Sequence, residues 1–230
     1  GRCERCFAFA LLLQQSKRIQ VMSTAIKTKY MVLFGFCSLA VYFIVQQFVT
    51  HQYDFLTSFD EAIPFIPWTV WIYHTIVPVI VATMFLLVQS RRLFFTTFWS
   101  CVASMFIIHI FYIFFPSFYP RPDFAGSGLT DYLVELSYTI DNSSNTFPSG
   151  HVAFAWLMFW GAYFSQKAKE LPPLKRTYLL WAIGLSLSTL TLKMHYIIDV
   201  IGGFAIGTFS FFLIKSYIKS RSLYPDKTTT

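Results

Sequence analysis

Asn145-Thr-Phe-Pro-Ser-Gly-His151 is a short polar turn between two long apolar runs, and the rest of the chain is read from it. Pro148 and Gly150 interrupt any helix that runs into them, Ser149 supplies a hydroxyl, and His151 stands where the next helix opens. Such a turn presents unpaired backbone N–H groups beside a titratable ring, which suits a phosphate group. Which other residues reach the same place depends on how the chain is organised.

Of 230 residues, 55% are hydrophobic and 20% aromatic, and only 13% are charged. Long uncharged runs at that composition exclude an ordinary soluble domain and predict an all-α integral membrane protein. A helix of about 20 residues crosses a ~30 Å hydrocarbon core. Six runs qualify as transmembrane helices: 30–49, 68–88, 93–115, 151–165, 177–192 and 197–218. The fifth is the most polar. Its Ser186, Ser188, Thr189 and Thr191 require a face turned into the bundle. In the sixth, Gly202 and the pair Gly203-x-x-x-Gly207 predict close approach to a neighbouring helix.

The six-helix domain is placed at residues 26–220, with an N-terminal tail at 1–25 and a C-terminal tail at 221–230. The chain opens on Gly1, and Met22 offers an alternative start, so the first tail is read as an added segment or a mis-assigned start. Among four cysteines, Cys3-x-x-Cys6 has no second pair and is read as incidental. Cys37 and Cys101 lie in apolar runs and form no secreted disulfide framework.

The net charge of +7 is distributed by side, which points to membrane orientation and not to nucleic acid. Arg2, Arg5, Lys17, Arg18, Lys27 and Lys29 precede the first span, and Arg91 and Arg92 join the second and third. Lys167, Lys169, Lys175 and Arg176 join the fourth and fifth; Lys215, Lys219, Arg221 and Lys227 close the chain. With alternating helices, only Arg121 and Lys193 fall on the other side. Both termini are therefore expected to be cytoplasmic, with a periplasmic or lumenal outer face.

Three outer segments carry chemistry: Tyr119-Pro-Arg-Pro122, Pro148-Ser-Gly-His151 and His195-Tyr-Ile-Ile-Asp199. On a helix that includes both, His195 and Asp199 share a face. The carboxylate then takes the ring N–H of His195 and leaves the other nitrogen as a nucleophile. His151, from another helix, is a candidate general acid, and Arg121 offers a planar donor fork to phosphate oxygens. Taken singly, each has a plainer reading: an interfacial histidine, a membrane anchor, a helix-start aspartate. Together they point to a site. His74 and His109 are read as packing or cavity residues, and His51 as interfacial. The sequon Asn142-Ser-Ser144 lies too close to the turn to carry weight.

Arg121-Pro122, Pro148-Ser-Gly-His151 and Ser188 followed by His195-x-x-x-Asp199 resemble, as an ordered set, the three-part signature of the type-2 phosphatidic acid phosphatase superfamily. That superfamily includes lipid phosphate phosphatases and sphingolipid synthases and shares its site with vanadium haloperoxidases. The resemblance implies a phospho-histidine on His195, orientation by Asp199 and protonation of the leaving group by His151. It also implies phosphate binding by Arg121, Ser149, Gly150 and Ser188, with no metal and no cofactor. Two cations of the phosphatase pattern are missing, since Phe114 and Thr189 stand in their places. Lys193 is the candidate replacement if the last helix starts after it.

Phe59-Asp-Glu-Ala-Ile-Pro-Phe-Ile-Pro67 and Lys193-Met-His-Tyr-Ile-Ile-Asp-Val200 resemble the branch of inositol-phosphorylceramide and sphingomyelin synthases. The leading expectation is therefore head-group transfer between lipids, with a phospholipid or lipid phosphate as donor and a lipid alcohol as acceptor. The alternative is a phosphatase for lipid phosphate monoesters of the phosphatidic acid or isoprenyl phosphate type. A further alternative is a membrane binding protein with a dead site. The expected location is the plasma membrane if the source is bacterial, and Golgi or endoplasmic reticulum if it is eukaryotic.

Overall fold

The computed structural model describes residues 22–47, 53–123, 126–141 and 143–225, and these are helical apart from turns and two isolated bridges. Cys3, Cys6, His51, Asn142, Lys227 and the basic residues of the N-terminal tail lie outside the described residues. The elements are α1 (Thr24–Gln46), α2 (Ser58–Ala62), α3 (Val70–Tyr73), α4 (Ile76–Ala82), α5 (Arg91–Phe114), α6 (Leu129–Ile140), α7 (Gly150–Tyr163), α8 (Gln166–Glu170), α9 (Pro173–Thr191) and α10 (Ile197–Ser220).

Among the described residues, four stretches are long and apolar enough to cross a membrane: Thr24–Gln46, Pro67–Leu87, Arg91–Phe114 and Ile197–Ser220. The expected fourth and fifth spans are also helices, but α7 has 14 residues and α9 carries charge in its first turn. The first forms the centre of the bundle, and the second packs along its side with Leu180, Ile183 and Leu187 exposed. α7 lies between α5, α9 and α10, and its Val152, Ala153, Ala155, Leu157 and Met158 are fully buried. α1 is the opposite case, with Val32, Phe36, Leu39 and Phe43 exposed along its length, as a lipid-facing helix requires. The polar residues of α9 turn inward as expected: Ser186, Ser188 and Thr189 are buried.

The second span departs from the expected single helix. It runs as a 3-10 turn (Pro67–Thr69), α3, α4 and a π turn (Thr83–Leu87). Pro78 lacks an N–H and its ring crowds the carbonyl four residues back, which is where α3 gives way to α4. The π turn leaves carbonyls for Lys27, whose Nζ donates to Met84 O at 3.0 Å and Val88 O at 2.7 Å. This bond places Lys27 inside α1, so that helix begins six residues before the expected boundary.

The stretch between the third and fourth spans, expected to be a loop, holds the amphipathic helix α6. Asp131 Oδ2 accepts the Gly128 N–H at 3.0 Å and starts it. Its inner face docks through Ser137 Oγ on His74 Nε2 (3.0 Å) and Tyr138 Oη on Leu192 O (2.7 Å). It is too short and too polar to appear as a span.

Candidate active site

Two helix N-termini meet here because glycines let them. A Cβ on Gly203 would lie 2.4 Å from Ser149 O, and one on Gly207 would lie 2.4 Å from Ala153 O. The expected small-residue contact is thus between α10 and α7, backbone against backbone. The Ser149 N–H donates to Asp199 O at 3.0 Å and ties the two starting turns together. Ser149 caps α7, its Oγ accepting the Val152 N–H at 3.3 Å.

α10 starts at Ile197, as its expected span does, so His195 precedes the cap and does not share the helix with Asp199. The pair forms all the same, because Asp199 reaches back from the first turn. Its Oδ2 accepts the Tyr196 N–H at 2.9 Å and lies 3.3 Å from His195 Nδ1. Thr189 O accepts the N–H groups of Met194 (3.0 Å) and His195 (3.3 Å), fastening the turn to α9. Tyr196, fully buried, donates its hydroxyl to Asp54 Oδ1 at 2.7 Å, and Phe118 O lies 2.9 Å from the same oxygen.

His195 is 5% exposed, and its Nε2 has no partner. It borders a cavity of about 260 Å³ shared with Gly150, His151, Asp141 and Asn145. Beyond them the cavity is walled by Ile76, Val77, Ile80, Ile108 and Phe154, an apolar lining that fits a lipid tail. The ring of His151 lies 6.1 Å from that of His195, centroid to centroid. His151 Nε2 lies 2.8 Å from Tyr73 Oη, which donates to Asp141 Oδ2 at 3.0 Å. If the hydroxyl proton goes to the carboxylate, the imidazole donates to the tyrosine oxygen. Asp141 Oδ2 is also 3.8 Å from His151 Nδ1, an ion pair once the ring is protonated.

The remaining candidates are placed differently. Arg121 Nη1 donates to Tyr138 O at 2.7 Å and Nη2 to Asp141 O, so the fork closes the C-terminus of α6. Its guanidinium stacks 4.6 Å from the centroid of Tyr138, and burial lowers its pKa against the opposing pull of Asp141. Ser188 Oγ bonds its own helix at Leu185 O (2.7 Å). Lys193 does precede the helix, at φ 53°, but its Nζ donates to Asp60 O at 2.8 Å. Burial pulls its ammonium below the usual lysine range, against the pull of Asp60 and Glu61. Arg121, Ser149, Ser188 and Lys193 are not among the described residues that line the cavity, whereas Gly150 is. Phe114 is exposed, and Thr189 Oγ1 bonds Ser186 O at 2.8 Å.

Sequence reasoning missed Tyr73, Asp141 and Asn145. Tyr73 sits inside an apolar run, and Asp141 belongs to none of the three motif segments. His109 lines the cavity as expected, its Nδ1 donating to Met105 O at 2.7 Å. One carboxylate oxygen of Asp141 and one nitrogen each of His151 and His195 lie within 4.8 Å of one another. That donor set suits a zinc-like ion as well as it brackets a phosphoryl group.

A family model described as the PAP2 superfamily matches residues 94–222. Phosphatidylglycerophosphatase B of Bacillus subtilis (strain 168) is 34% identical over 105 residues, which is 42% of this chain. The chain spans 45% of that relative's length. Since the family match covers more than half of the sequence and takes in both helix starts with His151, His195 and Asp199, this chain belongs to the PAP2 superfamily.

Proposed function

We propose that this protein hydrolyses a lipid phosphate monoester through a phospho-histidine on His195. The observation that carries the reading is the state of that ring. Nδ1 is held by Asp199, while Nε2 is buried and unpartnered in a residue that lines the cavity shared with His151. Nε2 attacks phosphorus as the P–O bond to the lipid breaks, and His151 gives its proton to the departing alkoxide. A water then loses a proton to His151 and attacks phosphorus, the P–N bond breaks, and inorganic phosphate leaves. Besides His151, the first-turn amides of α7 at Gly150 and His151 supply donors for the phosphate, since a helix start leaves such N–H groups unpaired.

Hydrolysis is preferred to head-group transfer. The two stretches that resemble the synthase branch brace each other: Asp60 Oδ1 accepts the Ile197 N–H at 2.7 Å, and Lys193 holds Asp60 O. That contact accounts for them as scaffold. The named relative, for its part, is a phosphatase. Phosphatidylglycerol phosphate and phosphatidic acid are the first substrates to offer, with an isoprenyl phosphate as the third. Protein purified in detergent should release inorganic phosphate from at least one of them, survive EDTA and be inhibited by vanadate. A new phospholipid formed only when diacylglycerol or ceramide is added, without released phosphate, would return the reading to transfer. Activity lost to EDTA and restored by a divalent ion would instead assign Asp141, His151 and His195 to a metal.

The proposed orientation has six crossings (α1, the broken second span, α5, α7, α9 and α10), both termini cytoplasmic and the site outside. The distribution of lysine and arginine supports it. In a cysteine-free variant, Ser127→Cys should label with an impermeant thiol reagent in intact cells and Lys169→Cys should not. Both positions are exposed, so the reverse pattern would invert the topology.

A further inference from the structure

We infer that Asn145 is a phosphate-binding residue of this site, its side-chain amide donating to a phosphoryl oxygen. The inference rests on the phosphatase reading above for its substrate, but it starts from a separate observation. Asn145 is 5% exposed, and neither Oδ1 nor Nδ2 has a hydrogen-bond partner. A buried primary amide without partners is costly, and native structures rarely retain one unless a ligand, ion or water completes it. Asn145 borders the same cavity as Gly150, His151 and His195.

The backbone around it is held firmly. The Asn145 N–H donates to Ser117 O at 2.6 Å and the Phe147 N–H to Ser117 Oγ at 2.7 Å, and the neighbouring Thr146 hydroxyl lies 2.9 Å from that Oγ. The Thr146 and Ser149 hydroxyls of this turn are engaged, whereas the Asn145 amide is not. The site also has need of a donor. Phe114 and Thr189 stand where the family resemblance places cations, and the two Nη nitrogens of Arg121 and Nζ of Lys193 are taken by backbone carbonyls.

A purely conformational role makes a different forecast. Asn145 has φ 60°, a left-handed conformation that asparagine, aspartate and glycine tolerate and other residues resist. If the backbone alone matters, Asn145→Gly and Asn145→Asp should both behave as wild type. If the amide is a ligand, glycine removes the donor and aspartate replaces it with a repelling charge.

The test uses the full chain in detergent with orthovanadate as the probe, its binding followed by ⁵¹V NMR, and thermal unfolding recorded in parallel. Asn145→Gly should bind vanadate roughly ten- to a hundredfold more weakly, the size of one hydrogen bond to a charged group. Asn145→Asp should be weaker still, and both should unfold near the wild-type temperature. Affinities within threefold of wild type for both variants, or aspartate binding better than glycine, would overturn the assignment, as would a wild type that binds no vanadate. Should the wild type bind vanadate and the variants behave as expected while no lipid phosphate is hydrolysed, the phosphate site stands and the proposed reaction falls.

Discussion

The two histidine turns are supported in different ways. His195 is held by its own neighbourhood: Asp199 four residues on takes one ring nitrogen, Thr189 O takes its amide, and its other nitrogen is left bare in near-complete burial. His151 sits on the first turn of α7 with its side chain 29% exposed, and its ring is steered by Tyr73 and Asp141 from two other elements. A nucleophile needs one nitrogen fixed and the other free, and can be buried because it keeps no proton there. An acid that must reload needs a path for its proton and an anion to stabilise the charged ring. The difference in support is thus a difference in task.

The largest effect that bears on this contrast comes from removing each ring. His195→Ala should abolish both turnover and the covalent intermediate. His151→Ala should lose roughly 10²–10⁴-fold on the lipid and much less on an activated aryl phosphate, whose leaving group needs little protonation. Asp199→Asn should fall between, since the ring stays but its tautomer is no longer fixed. The comparison breaks if the aryl ester rescues His195→Ala and leaves His151→Ala inactive.

Next in size is the contact that sets the distance between the two turns. Gly203→Val would drive side-chain atoms into Ser149 O, which already lies 2.4 Å from where a single Cβ would be. A cost of about 1–3 kcal/mol in stability and at least a tenfold loss of activity are expected, read by thermal unfolding and phosphate release. Gly35→Ala is the control, because nothing lies within 4 Å of a Cβ there. Equal behaviour of the two would mean that the glycine contact does not govern the site.

The smallest effect sharpens the comparison. Tyr73→Phe keeps the ring but removes the hydroxyl between His151 and Asp141. A loss of about one net hydrogen bond, roughly five- to tenfold in the lipid rate, is expected together with a moved limb of the pH–rate profile. The amount of phospho-histidine trapped at short times should stay at the wild-type level, because His195 is untouched. A fall in that amount without a change of pH profile would make Tyr73 a packing residue only.

Much of this was legible in the sequence for simple reasons. Hydropathy finds segments that must hide from water, so helical structure stands close to all six expected places, as single helices at five and broken at the second. The Gly203 and Gly207 spacing could only mean a close approach. What failed was whatever depends on one backbone group meeting another. Lys27 and Lys29 looked like residues outside a span, but the open carbonyls of the π turn admit Lys27 into the helix. Arg121 looked like a phosphate ligand, but the helix α6 it closes was not visible to a search for spans. Tyr73 read as one more aromatic in an apolar run, and its use by His151 becomes evident only when α3 and α7 are side by side. Asn145 was in view from the start as the first letter of the turn. Nothing in its spacing told that its amide would be left without a partner.

The bond from the Ser149 N–H to Asp199 O has a dynamic consequence. It lies between two helices whose backbones touch through Gly203 and Gly207, with no side chain between them to give way. Breaking it requires α7 and α10 to part, and α7 is the buried middle of the bundle. Local fluctuations that loosen an outer helix such as α1 should leave this amide protected, and its hydrogen exchange is expected only with the opening of the bundle's middle. Two histidines at the starts of separate helices are therefore kept in register through thermal motion by the same contact that keeps the protein folded, and the reacting geometry should persist until the whole bundle melts.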